Sequence, residues 1–402
     1  DGLSCYSSGT SQYKTWSNES GRKPVLYSNV IRSMVCDQDN NIWIGTGNGV
    51  NRYNRQNGQI EFISSEKLPA SFYNSINTDR SGNIWFCTND SVSLYWYDYQ
   101  AKTFHSVSEH PHLKQLPRFS PTSYFLEDSR ERLWISFARK GVYMYNKKTG
   151  ELKHFKASDS GKDGIIGDQV IEIKEDQQGM IWMSTFNGVS GYDPEKNSYI
   201  NINNQNGLPG NMAAPLAIDR KNRIWVGVNG GLTLISADRK HFTSFSTSEG
   251  LPSLGYSEHA GCTDKDGNIV MPTYYGYFRF NPDLYQERKD SFRYYLAGYS
   301  IFDKDYKRIS ESDNSPVIRL NADQNSFTFH MAALNYKNPS QTWFFYRLEG
   351  FEKDWHYSQD PKAVYTNVPG GRYTFQYRAS ISREQTNDQA FKTGTVLLAT
   401  RF

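Results

Sequence analysis

The chain has 402 residues, with 45 Lys and Arg against 42 Asp and Glu, which gives a formal net charge of +3. This near balance, without long basic runs, argues against a nucleic-acid-binding protein. Mean hydropathy is −0.71, and no apolar run approaches the roughly 20 residues that a membrane-spanning helix needs.

An aspartate recurs along the chain, each time followed six residues later by the middle of an apolar strand. Successive aspartates are 42 to 49 residues apart, a period that predicts a repeat architecture. In five of the six copies the later residue is tryptophan. The pairs are Asp37 with Trp43, Asp79 with Trp85, Asp128 with Trp134, Asp176 with Trp182, Asp219 with Trp225, and Asp264 with Val270.

Each copy carries the signals for four short strands. In the second copy, Asp79 to Gly82 predicts a turn whose fourth residue needs φ > 0. Gly or Asn occupies that position in five copies, whereas Glu131 in the third predicts a looser turn. Strands before and after this turn, and further turns containing Gly, give four antiparallel strands per repeat, which is one β-propeller blade.

The repeated tryptophans are predicted to be structural. A Trp at the same place in every repeat packs between neighbouring blades more readily than it contacts a ligand. The structural repeat anchors are therefore Trp43, Trp85, Trp134, Trp182 and Trp225.

The first residues match the second half of a repeat, because Gly2-Leu3 aligns with Gly49-Val50 and Tyr6 with Tyr53. We therefore expect the chain to begin within a blade and the natural polypeptide to continue upstream. Six repeats and this partial one predict a seven-bladed propeller over residues 1–283, with the first blade partial. The sixth repeat shows no clear fourth strand after Pro282, so an alternative is that the N-terminal segment closes that blade.

The period stops after the sixth repeat. Residues 284–292 form a polar connector, and residues 293–402 show strand alternation, with Phe327, Phe329 and Met331 on one face. Seven or eight such strands predict an immunoglobulin-like β-sandwich. The predicted fold class is all-β, a propeller followed by a sandwich.

These residues carry a family resemblance. The blade sequence Asp-x-x-Gly-Asn-Ile-Trp resembles the two-component regulator propeller repeat, and Gly207-Leu-Pro209 and Gly250-Leu-Pro252 resemble the start of such repeats. The C-terminal region resembles the triple-tyrosine (Y_Y_Y) domain. Its pattern is visible as Tyr346 to Phe351, then Trp355, then Tyr365 to Phe375.

In this order, the two domains resemble the extracytoplasmic sensor region of Bacteroidetes hybrid two-component systems. The resemblance implies an upstream propeller, a downstream transmembrane helix, and then a histidine kinase and a response regulator; a smaller group has a direct helix-turn-helix output instead. It also implies a periplasmic location in an inner-membrane protein, homodimerisation through the sandwich, an oligosaccharide ligand, and transcriptional control of polysaccharide-utilisation genes. This region itself would be non-catalytic and would not contact nucleic acid.

The sequence shows no catalytic motif. It lacks a Gly-x-Ser-x-Gly elbow, a His-Glu-x-x-His helix and a phosphate loop. The four cysteines have no metal-binding spacing, and the close pair His110 and His112 is a weak metal candidate, so no metal and no cofactor are expected. A propeller enzyme, a glycosidase or lyase, remains the alternative, because paired carboxylates would come from different blades. A protein-interaction scaffold is a third possibility.

Candidate ligand residues lie on the face formed by the connections between blades and by the turns between second and third strands. Sugar binding needs aromatic side chains for stacking and polar ones for hydroxyl or carboxylate groups. The basic residues Arg118, Arg139 and Lys140 would suit an acidic glycan. The candidates are Arg139, Phe186, Tyr256, Glu258, Tyr274 and Tyr275.

Overall fold

The computed structural model describes residues 2–7, 10–18, 25–64, 66–69, 72–90, 92–158, 163–247, 250–252, 255–258, 261–285, 292–302, 304, 306–310, 316–335, 342–380 and 391–399. The chain divides into two compact units, Asp1–Leu284 and Tyr285–Phe402.

The first unit is a β-propeller made of repeated antiparallel sheets, in which the first strands of consecutive blades lie side by side. The N-terminal hairpin is β1 (Leu3–Ser7) and β2 (Gln12–Trp16). Blade one is β3 (Ile31–Cys36), β4 (Ile42–Thr46), β5 (Gly49–Asn54) and β6 (Gln59–Phe62); blade two is β7 (Tyr73–Thr78), β8 (Ile84–Thr88), β9 (Leu94–Asp98) and β10 (Thr103–Ser106); blade three is β11 (Thr122–Glu127), β12 (Arg132–Phe137), β13 (Gly141–Asn146) and β14 (Leu152–Phe155). Blade four is β15 (Val170–Glu175), β16 (Ile181–Thr185), β17 (Gly188–Asp193) and β18 (Ser198–Ile202); blade five is β19 (Ala213–Ile218), β20 (Ile224–Val228), β21 (Gly231–Ile235) and β22 (Phe242–Phe245); blade six is β23 (Cys262–Thr263), β24 (Ile269–Thr273) and β25 (Gly276–Phe280). Short 3-10 helices occupy Val107–Glu109, Leu113–Gln115 and Pro282–Leu284.

The hairpin and blade six are separate sheets. Among the described strands, β2 pairs with β1 alone and β25 with β24 alone. Within the described part of the chain, β1 and β2 therefore do not pair with blade six.

In each blade, the carboxylate of the repeat aspartate accepts hydrogen bonds that hold the turn. Asp37 Oδ1 accepts hydrogen bonds from the backbone N–H groups of Asp39 at 3.0 Å and Asn41 at 2.8 Å. Its Oδ2 accepts the indole N–H of Trp43 at 3.0 Å. The same indole bond recurs at 2.9 Å for Trp85, 2.7 Å for Trp134, 2.8 Å for Trp182 and 2.9 Å for Trp225. The six-residue spacing therefore marks a direct contact between the turn and the tryptophan.

All six turns have the same conformation at their fourth residue. Gly82 has φ +83°, and Glu131 has φ +61°. The turn at Glu131 is slightly looser, as expected: the N–H of Glu131 donates to the carbonyl of Asp128 at 3.2 Å, against 2.9–3.0 Å in the other five turns. Asp128 Oδ1 still accepts the N–H groups of Arg130 and Arg132, both at 2.9 Å. These bonds offset the cost of a left-handed Glu.

The tryptophans lie between blades. Trp43 is 1% exposed and packs on Phe86 and Tyr97 of blade two, with ring centroids 5.7 and 5.2 Å away. Trp85 stacks on Phe125 of blade three at 4.4 Å. Blades one and two are therefore each joined to the next blade by the indole that their own Asp positions.

At four of the repeat aspartates, an arginine contacts both the aspartate and its tryptophan. Arg239 Nη2 lies 2.5 Å from Asp176 Oδ2, and its guanidinium lies 5.1 Å from the centroid of Trp182. Arg52, Arg132 and Arg223 also pair with the repeat aspartate and lie over the tryptophan of their blade. A buried carboxylate is stable only when paired and hydrogen-bonded, and the arginine meets that requirement.

Blade six replaces the indole with another donor. Val270 stands where the other blades have Trp, and Arg279 Nε donates to Asp264 Oδ2 at 2.7 Å instead. Partial burial opposes ionisation of Asp264, but the hydrogen bonds from Arg279 and Asn268 outweigh it and lower the pKa of Asp264 to about 2.

The second unit is a sandwich of two sheets. Its strands are β26 (Tyr294–Ile301), β27 (Lys307–Arg308), β28 (Val317–Leu320), β29 (Phe327–Ala333), β30 (Trp343–Glu349), β31 (His356–Ser358), β32 (Lys362–Tyr365), β33 (Gly371–Ser380) and β34 (Lys392–Leu398). One sheet has the order β27-β26-β29-β32 and the other β28-β34-β33-β30-β31, with β28 parallel to β34.

Phe329 and Phe375 meet between the sheets with ring centroids 4.2 Å apart. Tyr373 donates its hydroxyl to the carbonyl of Pro369 at 2.8 Å, as in the tyrosine corner of immunoglobulin-like folds. The predicted fold class, a propeller followed by an immunoglobulin-like sandwich, is confirmed.

We expect Trp182→Phe to destabilise the protein by about 1–3 kcal/mol more than Trp96→Phe, because it leaves a buried carboxylate without one donor. Trp96 is the matched control, since its indole N–H forms no hydrogen bond within the described residues. Urea unfolding of the two variants measures the difference. Equal losses would show that the Asp–Trp bond adds nothing to ring packing.

We expect Arg279→Gln to raise the pKa of Asp264 from about 2 toward its ordinary 3.8. Because the folded-state pKa is the depressed one, the contribution to stability is present above the ordinary pKa and is lost as pH falls toward 2. NMR titration of the Asp264 carboxyl measures the shift. Lys196→Gln, which removes the partner of Asp193 on blade four, is the control and should leave Asp264 unchanged. Unaltered titration of Asp264 in Arg279→Gln would contradict this account.

Candidate ligand site on the propeller

Short turns between second and third strands present side chains on one face of the propeller; we call them the face turns. In blade four, Thr185 Oγ1 accepts the N–H of Asn187 at 3.0 Å and donates to the carbonyl of Gly188 at 2.9 Å. Gly188 has φ +135°. Thr46 and Thr273 make the same pair of bonds in blades one and six. Threonine and glycine therefore hold the turn, and the two residues between them can vary.

Blade three has a longer face turn. Phe137 and Gly141 are separated by three residues, and the middle one, Arg139, has φ +58°. The N–H of Arg139 donates to Gln169 Oε1 at 3.1 Å. Because Gln169 lies just before β15, this bond ties the turn of blade three to the start of blade four.

A cavity of about 640 Å³ opens between these two blades, lined by Pro121, Ala138, Arg139, Gln169 and Phe186. Phe186 is 41% exposed and supplies an aromatic surface. No described acidic residue lies within ion-pair distance of Arg139. The cavity thus combines a guanidinium, a carboxamide and an aromatic ring.

The structure brings together two of the six predicted residues, Arg139 and Phe186. Tyr274 is 68% exposed and Tyr275 93% exposed on the face turn of blade six, away from the cavity lining. Glu258 is half-buried and also does not line the cavity.

Tyr256 lies inside the propeller. It is 5% exposed and covers Gly227, where an added Cβ would lie 2.9 Å from the tyrosine ring. Burial raises the pKa of Tyr256. Its hydroxyl has no hydrogen-bond partner in the part of the chain that the structure describes. Its ring is used in packing between blades five and six.

Sequence reasoning missed Pro121, Ala138 and Gln169. Pro121 and Gln169 each lie just before the first strand of a blade. This position in the repeat is the signal from which they could have been predicted. The pair His110 and His112 is structural: His110 Nδ1 accepts the N–H groups of His112 and Leu113 at 3.3 and 3.2 Å. The described residues contain no group of three side chains suited to a metal ion.

Cys87 is not a nucleophile candidate at neutral pH. The residue is fully buried, and burial raises the pKa of its thiol to about 12, although a hydrogen bond with Thr122 acts in the opposite direction. The thiolate is the reactive form, so this cysteine is inert packing.

Comparisons with known proteins agree with this architecture. Residues 28–48 match the family model "Two component regulator propeller", and residues 335–396 match the Y_Y_Y domain. The histidine kinase P4 of Formosa agariphila is 23% identical over 189 residues, which are 44% of this chain but only 14% of that kinase. The chain therefore corresponds to a small part of this relative.

Two solved structures are similar to this chain. The extracellular domain of the putative hybrid two component system BT3049 from B. thetaiotaomicron has a TM-score of 0.43 at 20% identity, covering 92% of this chain and 55% of that one. Virginiamycin B lyase from Staphylococcus aureus has a TM-score of 0.51 at 12% identity, covering 69% of this chain and 86% of that one. The second match shows a shared propeller fold and nothing about activity.

Parts of this chain thus match a regulator-propeller repeat and, further along, a Y_Y_Y domain. Over part of its length the chain is also similar to a Formosa histidine kinase. No helix among the described residues is long and apolar enough to cross a membrane.

We expect Tyr256→Phe not to lower the free energy of unfolding and to leave ligand binding unchanged, because it removes a buried hydroxyl that has no hydrogen-bond partner among the described residues and so removes a desolvation cost. Tyr73→Phe is the matched control: this buried tyrosine donates to the carbonyl of Leu68 at 3.1 Å, and its loss should cost about 0.5–1.5 kcal/mol. Urea unfolding compares them. Equal destabilisation by the two substitutions would show that the Tyr256 hydroxyl forms a stabilising hydrogen bond.

Proposed function

We propose that this chain is the periplasmic ligand-sensing region of a membrane-bound hybrid two-component sensor histidine kinase and response regulator. It detects glycan-derived oligosaccharides and controls transcription of polysaccharide-utilisation genes. The observation that carries the proposal is the cavity between blades three and four, which unites Arg139 and Phe186 in a chain of regulator-propeller and Y_Y_Y class.

The cavity chemistry fits a sugar with an acidic group. The exposed ring of Phe186 offers a flat surface for the C–H face of a pyranose. The guanidinium of Arg139 can bind a carboxylate or sulfate through two parallel hydrogen bonds. A volume of about 640 Å³ lies within the range of small-molecule sites. We therefore favour an oligosaccharide that contains a uronic acid or a sulfated sugar.

Signalling requires that the ligand prefer one of two arrangements of the sensor. Couplings of about 1–3 kcal/mol are usual for such systems. By resemblance, an upstream propeller, homodimerisation through the sandwich, and a downstream transmembrane helix carry the change to the kinase. Differential affinity at the Arg139 cavity would bias that arrangement.

The cavity offers no support for the enzyme alternative. Its five lining residues include no carboxylate and no histidine, the groups that act as general acid or base in most glycosidases and lyases. We therefore favour a binding role for this cavity over a catalytic one.

Isothermal titration with a panel of neutral and acidic oligosaccharides tests the proposal. We expect an acidic member to bind, and Arg139→Gln and Phe186→Ala each to weaken that binding by at least about tenfold, since one charged hydrogen bond or one aromatic contact accounts for about 1.4 kcal/mol.

Arg130→Gln is the matched control. Arg130 lies in the same blade, in the turn that holds Asp128, and pairs with Glu195; its replacement should leave affinity unchanged. Equal loss in all three variants, or no binding by any member of the panel, would refute the site. Cleavage of a panel member, seen by product analysis, would instead favour the enzyme.

A further inference from the structure

Two arginines lie side by side on the outer face of the larger sandwich sheet. Arg319 of β28 is in register with Leu397 of β34, and Leu397 is in register with Arg372 of β33. Their strand neighbours Ile318, Val396 and Tyr373 are buried in the core, so the alternation of each strand puts the three residues on the opposite face. Arg319 and Arg372 are exposed, and Leu397 between them is half-buried.

The three residues line a cavity. Its volume is about 350 Å³, and Gly371 and Ala399 contribute to its wall. Neighbouring strands are about 4.8 Å apart, so the two arginine Cα atoms are separated by about 9.6 Å. Two extended guanidinium groups can converge over Leu397 from that separation.

The two arginines differ from the others on the same sheet. Arg347 Nε donates to Gln376 Oε1 at 2.7 Å, and Arg378 lies over the ring of Phe345 at 4.5 Å. Neither Arg319 nor Arg372 forms an ion pair within the residues that the structure describes. The acidic side chain diagonal to Arg372 across the sheet, Glu349, instead accepts a hydrogen bond from Gln376 Nε2 at 3.0 Å. The positive charge at the cavity is therefore not neutralised by these neighbours.

We propose that Arg319 and Arg372 form a binding site for a phosphate-bearing anion. Each guanidinium can give two parallel hydrogen bonds to phosphate oxygens, and one phosphate has enough acceptors for both. Leu397 contributes an apolar surface between them. The phosphate belongs to a soluble phosphate or to the headgroup of an anionic lipid. The site is separate from the oligosaccharide cavity and does not depend on it.

Binding by the whole chain to two probes tests the site. The first probe is inorganic phosphate, followed by titration calorimetry. The second is a vesicle of phosphatidylglycerol and phosphatidylcholine, followed by co-sedimentation against pure phosphatidylcholine vesicles. We expect at least one probe to bind, with affinity falling as salt rises. Arg319→Gln and Arg372→Gln should each weaken binding at least about tenfold, as expected for the loss of a charge-assisted hydrogen bond.

Arg308→Gln is the control, because Arg308 is an exposed arginine on β27 of the other sheet. It should leave binding unchanged. Binding of phosphate alone assigns a soluble ligand, and binding of anionic vesicles alone assigns a lipid headgroup; both support the site. Failure of both probes overturns it, as does binding that Arg319→Gln and Arg372→Gln leave intact. Both substitutions are at exposed positions, so far-UV circular dichroism should confirm that the variants remain folded.

Discussion

A buried carboxylate that bonds at once to a turn and to an indole is the interaction on which the propeller depends. In blade four, Asp176 Oδ1 accepts the N–H of Gln178 at 2.8 Å, and Oδ2 accepts the indole N–H of Trp182 at 2.8 Å. Such a charge would be costly to bury alone, and Arg239 pairs with it. Because one side chain sets both the turn and the orientation of the ring between blades, local structure and blade packing cannot vary independently.

This arrangement leaves the opposite end of each blade free to carry chemistry. There the hydroxyl of a threonine such as Thr185 and a glycine such as Gly188 hold the turn through backbone contacts. The two residues between them take no part in those bonds through their side chains. Blade four places Phe186 there, and blade six places Tyr274 and Tyr275, without altering the core. A binding face can thus change while the scaffold persists.

Much of the fold could be predicted from the sequence, because every repeat carries the same turn and strand signals. The period located the blades, and Gly82 and its equivalents marked the left-handed turn residues. The Asp–Trp bond was missed, since a spacing of six does not show that the strand returns the indole to the carboxylate. Gln169 was missed because the cavity joins residues from two blades. Tyr256 could not be placed, since only the structure shows the space that Gly227 leaves for its ring.

The inner strands of blades three to five make the region around the cavity stiff. Tyr124 of blade three contacts Lys174 of blade four through O–H and Nζ at 3.3 Å, and Lys174 pairs with Glu172 at 3.0 Å. Glu172 then accepts the N–H of Leu216 in blade five at 2.8 Å. Burial opposes the charge of Lys174, but Glu172 and Tyr124 more than offset it and raise its pKa, so Lys174 stays charged. Separating these blades would break both the Tyr124–Lys174 and the Glu172–Leu216 hydrogen bonds, which involve charged groups and cost about 1.5–3 kcal/mol each. A ligand coupling of about 1–3 kcal/mol is too small for that, so we expect the propeller to respond to its ligand as a rigid body.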